Sequence, residues 1–336
     1  MILQISFLLF LLKGVYSTEI VNLNHDNLFI TCWYNCTNQS ETIFLYSKSI
    51  LTIDSDTFSG LIHLEELQLQ FNLLQSINKT TFAGCLYLKR LFLENNQLSY
   101  LSKDAFTDLV GLEVLDLSRN KINQIDLFTF KSLTNLGRLS LAFNNLTLID
   151  SNTLAGLTNV YSLDISNNRI NKISLNGKFK SNKLTNLYVS NNDLIRIDWN
   201  SFNGLSNLQW LEMQNNNLKY MRKETFVYTN NLQYLRLDLN DLDDLAEGVF
   251  DGLERLLALY LDGNNLEAID SKSFIGLKNL KHLSLESNVI FQFSNNSLGY
   301  LNELVTVCLW NNPISAFHPD LLKNICKCNV KINEEC

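Results

Sequence analysis

The chain is short of proline, histidine and positive charge, and each shortage excludes a class of answers. Only Pro313 and Pro319 occur in 336 residues. There is therefore no proline-rich linker and no domain boundary before the C-terminal end. Charged residues make up 18%, below the usual ~25%. Lys plus Arg number 27 and Asp plus Glu 34, giving a net charge of −7. Nucleic-acid-binding proteins present a basic face, and anionic membrane surfaces attract basic segments, so this balance argues against both partners. The four histidines (His25, His63, His282, His318) are scattered. No glycine-rich phosphate loop, nucleophile elbow or His/Glu metal motif accompanies them. Long apolar runs are also missing, except at the start. In MILQISFLLFLLKGVYS the stretch Ile5 to Leu12 is too short to span a bilayer, and Val15-Tyr16-Ser17 suits a small-residue cleavage site. The n-region lacks Lys and Arg, with Lys13 arriving late. A cleaved signal peptide over residues 1–17 is expected. The polar ending NVKINEEC shows no membrane or lipid anchor. The expectation is a secreted, extracellular protein, in surroundings where disulfides persist. The sequons at Asn35, Asn38, Asn78, Asn145 and Asn295 agree as glycosylation acceptors.

What the chain has in abundance is repetition. LEELQLQFN (Leu64 to Asn72) returns as LKRLFLENN, LEVLDLSRN, LGRLSLAFN, VYSLDISNN, LTNLYVSNN, LQWLEMQNN, LQYLRLDLN, LLALYLDGN, LKHLSLESN and LVTVCLWNN. The closing residues Asn72, Asn96, Asn120, Asn144, Asn168, Asn192, Asn216, Asn240, Asn264, Asn288 and Asn312 are spaced by 24 throughout. A degenerate unit precedes them, with Ile43, Leu45, Ile53 and Phe58 in phase but Lys48 in the asparagine position. In LEVLDLSRN, Leu115 and Leu117 alternate with Asp116, which predicts a short strand with one buried face. Stacked copies give a parallel sheet along one side of a solenoid. The asparagine amide is suited to satisfy backbone groups in the turn that follows. An apolar pair comes next, as in Ile122 and Ile125, and then a phenylalanine column: Phe58, Phe82, Phe106, Phe130, Phe202, Phe226, Phe250 and Phe274. Leu154 and Leu298 substitute in it, and one copy breaks the rule, with Lys178 in the Phe position and Ser181 in the later Leu position. Local degeneracy, with Phe179 slipping into the gap, is the expectation for that copy, and a dedicated docking feature is the alternative.

This L-x-x-L-x-L-x-x-N pattern resembles the leucine-rich repeats over about residues 40 to 315. The fold implied is an α/β-type solenoid: a horseshoe with a parallel concave sheet, eleven to twelve repeats of 24 residues and disulfide caps at both ends. The layout expected is a signal peptide (1–17), an N-terminal cap (18–41), the solenoid (42–315) and a C-terminal disulfide cap (316–336).

Seven cysteines cannot all pair. Cys85 stands in the leucine column of Leu61, Leu109, Leu133, Leu157, Leu205, Leu253, Leu277 and Leu301, which marks it as a packed core thiol. Cys32 and Cys36 in CWYNC suit a small N-terminal disulfide loop. Asn35 lies inside that loop, so Asn38 is the better acceptor. Cys308, Cys326, Cys328 and Cys336 suit a C-terminal staple after a short helix, with three connectivities open. C-x-C is poor zinc spacing, and no metal or cofactor is expected. A covalent dimer would need Cys85 or a cap cysteine to be free.

Function in such folds lies on the outward strand positions. The early repeats offer Glu66, Gln68, Gln70, Arg90, Phe92 and Glu94, and the middle ones the small Ser140, Ala142, Ser162, Ser166 and Ser190. Tyr188, Trp210, Tyr234 and Tyr260 then gather on successive repeats beside Glu212, Arg236, Asp238, Asp262, His282 and Glu286. Aromatic residues mixed with charge on a rigid sheet suit a protein-binding hot spot. The acidic column suits a basic partner patch. Asp238, Asp262 and Glu286 lack the compact loop of a calcium site and are expected as solvated carboxylates. No catalytic residue is assigned, since nothing in the sequence would shift the ionisation of Asp164 or Glu212.

The signal peptide, the repeats of 24 residues, the sparse N-cap and the C-terminal cysteine cluster resemble the secreted leucine-rich immune proteins of mosquitoes and other insects. Long members of that family carry a coiled coil after the cysteine cluster, so the match is to a coil-less type. The resemblance implies a haemolymph protein that binds an extracellular protein partner in pathogen recognition or a complement-like complex. A matrix or cell-adhesion role, which would give weak multivalent binding, stays open, as does a soluble co-receptor or inhibitor. An enzyme would lose activity on one change at Asp164, Glu212 or His282.

Overall fold

The computed structural model describes residues 21–28, 37, 39–175, 179, 181–294, 296–314 and 329–331. Its centre is one 13-stranded parallel sheet. In order the strands are Thr42–Phe44, Glu66–Gln68, Arg90–Phe92, Val114–Asp116, Arg138–Ser140, Ser162–Asp164, Asn186–Tyr188, Trp210–Glu212, Tyr234–Arg236, Ala258–Tyr260, His282–Ser284, Thr306–Cys308 and Asn329–Lys331. The register is the repeat itself. Leu163 pairs with Leu139 on one side and Leu187 on the other. The central residue of the strands from Thr42–Phe44 to Thr306–Cys308 is buried, as Leu67, Leu211 and Leu259 are, and its two neighbours are at least partly exposed except at Ser284 and Cys308, which are buried. The strands are short because the alternation ends within a few residues, where the chain must turn.

That turn explains the asparagines. Asn168 Oδ1 accepts from Leu146 N at 3.0 Å, and its Nδ2 donates to Leu141 O at 3.0 Å and Ile165 O at 3.1 Å. Each asparagine thus ties its own coil to the one before. Asn72 does this for the degenerate first unit, accepting from Lys48 N and Ile50 N, both at 3.0 Å. The residue before each asparagine is left-handed, with φ near +55° at Asn95, Asn167, Asn191 and Asn215. Asn tolerates that region best after Gly, which accounts for the repeated Asn-Asn pairs. Phe71, Phe143 and Leu239 hold the same backbone with large, exposed side chains. A second asparagine series closes the opposite edge of the coils: Asn135, Asn231 and Asn279 donate to Val110 O, Ser206 O and Glu254 O, one coil back.

Turns and short parallel ribbons, rather than helices, form the convex side. Tyr100–Leu101 pairs with Gln124–Ile125, and Leu148–Asp150 with Lys172–Ser174. The α component of the expected α/β-type solenoid is accordingly slight. The segment around each spine phenylalanine is too short to repay a helix nucleus, and glycine interrupts it. Gly156 and Gly276 have φ near +96°, and an added Cβ would lie 2.6 Å from Phe130 O and Phe250 O. Beneath these turns the phenylalanines stack in line. Phe202, Phe226, Phe250 and Phe274 form an unbroken run with centroids 6.2, 6.2 and 6.3 Å apart. In the irregular copy, Phe179 is buried, and Ser181 satisfies its own hydroxyl by donating to Val160 O at 2.6 Å. Lys178 lies outside the described residues.

Cys85 is a free thiol in the core, 1% exposed. Burial, helped by the charge of Asp108, pushes it up to about 12. A buried, protonated thiol is a poor nucleophile. In folded protein at neutral pH, Cys85 should therefore stay unmodified by iodoacetamide while reacting fully in denaturant, as peptide mass spectrometry would show. Fast labelling of the folded protein would mean that this coil opens. Cys308 is disulfide-bonded and fully buried, and the last strand pairs alongside it. Residues 1–17, Cys32, Cys36, Asn35, Asn38, Asn295, Cys326, Cys328 and Cys336 lie outside the described residues.

Candidate functional site

The solenoid register turns positions 24 apart into neighbours. Trp210 and Tyr234 are direct partners across two strands, followed by Ala258 and His282 on the next two. The indole and phenol rings stack at 3.6 Å and 9°. Tyr260, two residues beyond Ala258, sits 5.2 Å from Tyr234 and 4.9 Å from His282 by ring centroid. Four aromatic rings therefore run unbroken across four strands. Trp210 is further fixed by donating from Nε1 to Glu212 Oε1 at 2.7 Å. Tyr188 stands apart from the run, with its hydroxyl accepting from Asn186 Nδ2 at 3.2 Å.

Asp238 and Asp262 are held rather than freely solvated, which corrects the expectation for these two. Arg236 reaches both oxygens of Asp238, with Nε and Nη2 at 2.8 and 2.6 Å. Asp238 is buried as a result, at 5% exposure. Asp262 Oδ1 accepts from Ser284 Oγ and, at 2.8 Å, from Glu286 N. Burial lifts the Asp262 carboxyl above its ordinary range, against the pull of these two bonds. Asp238 and Asp262 thus have separate partners, and among the described residues no group of three or more His, Cys, Asp or Glu could hold a metal ion. Asp164 is shifted too, contrary to the sequence reading. Its burial in the sheet raises it, and the charges of Asp116 and Glu212 add to the effect, while Ser166 opposes it. Burial holds His282 below the usual imidazole range, opposed by Glu286. Tyr234 is raised by burial and by Tyr260. Asp164, Glu212 and His282 lie on three different strands, and no hydrogen bond joins any two of them among the described residues.

All ten residues singled out in the sequence fall on the concave strands or in the turn beyond them. What the sequence hid is the ground beside them. A depression of about 190 Å³ runs along the aromatic stack, lined by Asn186, Gln209, Gln233, Leu257 and Ala258 with Trp210 and Tyr234. Alanine and glutamine carry no binding signal alone, and only the register shows Ala258 as a missing side chain within an aromatic row. A second apolar feature lies away from the sheet: Ile62, Leu86 and Val110 hold one repeat position in three successive coils, each at least half exposed.

A family profile described as Leucine rich repeat matches residues 41–98, 62–122, 111–170, 182–242, 214–266, 230–290 and 254–314. Among solved structures, the chain is similar to the TLR13–ssRNA13 complex, at 27% identity and a TM-score of 0.79 over 85% of this chain and 42% of that one. It is also similar to the Toll–Spatzle complex of Drosophila, at 23% identity and 0.73, over 82% of this chain and 41% of that one. The LRIM1/APL1C complex follows at 23% and 0.63, over 78% of this chain and 48% of that one. The latter two likenesses speak to the fold alone. The chain spans less than half the length of all three. No curated protein matches it. Among the described residues no helix is long and apolar enough to cross a membrane.

Proposed function

Since the chain belongs to the leucine-rich repeat family, we propose that it is a binding scaffold rather than an enzyme, and that its concave sheet recognises a protein partner outside the cell in innate immunity. The observation that carries this reading is the ring series Trp210, Tyr234, Tyr260 and His282 on a hydrogen-bonded sheet. Such a surface binds with little loss of its own freedom, because the rings are already in place. Structural neighbours solved with Spatzle, and in the LRIM1/APL1C pair, support a protein ligand and an immune setting. The neighbour solved with ssRNA makes RNA the competing class. Against it, Glu212, Asp238, Asp262 and Glu286 outnumber Arg236 and Lys281 in the aromatic region, and phosphate contacts need the opposite sign.

Secretion belongs to the same reading. Its supports are the N-terminal apolar run and the exposed sequon at Asn78, whose Oδ1 accepts from Thr80 N and Thr80 Oγ1, both at 2.8 Å. Asn145, half-buried, is a second acceptor. The caps would be closed by Cys32 with Cys36 and by the C-terminal cysteine group.

The test is capture of a partner from native extracellular fluid, with and without reductant, followed by affinity measurements on Trp210→Ala and Tyr234→Ala. Each should lose about 2 kcal/mol or more, roughly 30-fold in Kd, with the melting point nearly unchanged. Equal affinity in both variants would remove the aromatic surface as the site. A partner seen only after reduction would instead point to a cysteine bridge between chains.

A further inference from the structure

The flank that follows the concave strands changes sign along the solenoid. In residues 169–175, 193–199 and 217–224, on three successive coils, Arg169, Lys172, Arg196, Lys219, Arg222 and Lys223 are all exposed. Only Asp193, Asp198 and Glu224 oppose them there. On the next coil the same segment, residues 241–247, holds Asp241, Asp243, Asp244 and Glu247 and no cation. A chain of net charge −7 thus carries a basic band with an acidic border. Charges more than about 8 Å away are largely screened at physiological ionic strength, so the local excess rather than the net charge governs what binds. On other coils Lys89, Lys272 and Lys278 each meet a glutamate of the preceding coil, at 2.6, 2.7 and 2.7 Å. In the band, Arg169, Lys219, Arg222 and Lys223 meet no carboxylate within ion-pair distance among the described residues.

The band has a centre. A depression of about 300 Å³ opens between Asn171, Lys172 and Ile173 on one coil and Ile195, Arg196 and Asp198 on the next. It lies where the convex ribbon stops. Lys172–Ser174 pairs with Leu148–Asp150 behind it, and residues 195–198 form no strand in front. Asp198 serves both cations there, with Lys172 Nζ at 3.3 Å and Arg196 Nε at 3.6 Å. A charge-assisted hydrogen bond is shorter, at about 2.7–2.9 Å. One carboxylate shared so loosely leaves most donors of these two half-exposed side chains available. An anionic group entering beside Asp198 would meet an ammonium, a guanidinium and the Asn171 carboxamide. Exposed pairs are individually weak, so a single small anion would be poorly held. The cations continue on the third coil through Lys219, Arg222 and Lys223, which suits a long ligand with charge repeated along its length. Of the exposed rings in the band, Trp199 is already packed against Tyr228, with centroids 6.4 Å apart, which leaves Tyr220. Single-stranded nucleic acid, by contrast, binds through successive stacked bases.

We propose that this flank binds a sulfated polysaccharide, with one sulfate group between Lys172 and Arg196 and further ones along Lys219, Arg222 and Lys223. Arginine and lysine both suit sulfate, the guanidinium as a planar fork and the ammonium as a point charge. The surface lies off the concave sheet. The inference therefore goes beyond the proposed protein site, and only its extracellular setting rests on that reading. The test uses the full chain and fluorescent heparin, by anisotropy over a series of salt concentrations. Heparin should bind at physiological salt, with an affinity that falls steeply as salt rises. Desulfated heparin, polyglutamate and oligouridine should compete poorly. Lys172→Gln with Arg196→Gln should weaken heparin about fivefold or more, and Arg222→Gln with Lys223→Gln about as much. Lys272→Gln with Lys278→Gln removes the same charge on other coils and should leave binding unchanged. All six side chains are exposed, so each variant should keep the wild-type melting point. Failure to bind heparin at physiological salt, or an equal loss in the Lys272 and Lys278 control, would overturn the proposal. So would displacement of heparin by oligouridine or polyglutamate as readily as by heparin itself. Trp210→Ala should bind heparin like wild type, and the Lys172 and Arg196 variant should keep a captured protein partner. The flank and the concave face can thus fail separately.

Discussion

Asn168→Ala should cost the protein about 2–3 kcal/mol, although it removes one small polar side chain. The carboxamide is the partner of Leu146 N, Leu141 O and Ile165 O, all in buried surroundings. Water cannot replace it without entering the core. Leu141 O and Ile165 O keep the carboxamides of Asn144 and Asn192, but Leu146 N loses its partner, and a buried backbone group left without one costs about 1–3 kcal/mol. Asn168→Asp is at least as damaging. It keeps an acceptor for Leu146 N but turns lone pairs towards the two carbonyl oxygens. The measurement is the denaturant midpoint of the variants against wild type, with the slope m compared to see whether the transition stays single. A loss below about 1 kcal/mol for Asn168→Ala would mean that the turn has another source of closure.

Phe226→Ala should cost more, by a different route. Phe226 lies between Phe202 and Phe250, at 6.2 Å from each and 7° and 15° from parallel. Truncation of a buried phenylalanine costs about 3–5 kcal/mol, with the upper part of the range where neighbours cannot collapse into the space. Both neighbours are held by their own coils, so collapse is restricted. Phe58, which stacks on Phe82 alone, serves as the control and should cost less. A solenoid is stabilised through contacts between adjacent coils. A weak interface at Phe226 should therefore split thermal unfolding into two steps, detectable as non-coincident far-ultraviolet and tryptophan-fluorescence transitions. A single shifted transition would show that coupling along the array is stronger than one interface.

Much of the fold was legible because the repeat superimposes all its signals at one spacing. Leu115 and Leu117 identify a strand, Asn120 its turn and Phe130 the spine, and ten more copies of the asparagine remove ambiguity of phase. Features that depend on a neighbouring coil were harder to see. Ser181 reads as a defect until Val160 O appears as its acceptor one coil back. Asn135, Asn231 and Asn279 read as compositional bias until their carbonyl partners are known. Asp238 and Asp262 looked solvated because sequence does not reveal that Arg236 and Ser284 turn towards them. The aromatic row was legible at Trp210, Tyr234 and Tyr260 because bulky rings at the strand period stand out. The depression beside it was not, because Asn186, Gln209, Gln233, Leu257 and Ala258 come together only through the register of the strands.

The asparagine ladder also has a direction. Each carboxamide reaches back to the preceding coil: Asn96 Oδ1 accepts from Leu74 N and its Nδ2 donates to Leu69 O, and Asn312 does the same for Ile290 N and Leu285 O. On a chain emerging from the ribosome N-terminus first, a coil is closed only when its successor arrives. In that order of synthesis, each new coil lacks its carboxamide latch until the next asparagine is in place. Beyond Asn312, the last asparagine of the ladder among the described residues, the strand Asn329–Lys331 lies beside Thr306–Cys308 and continues the sheet.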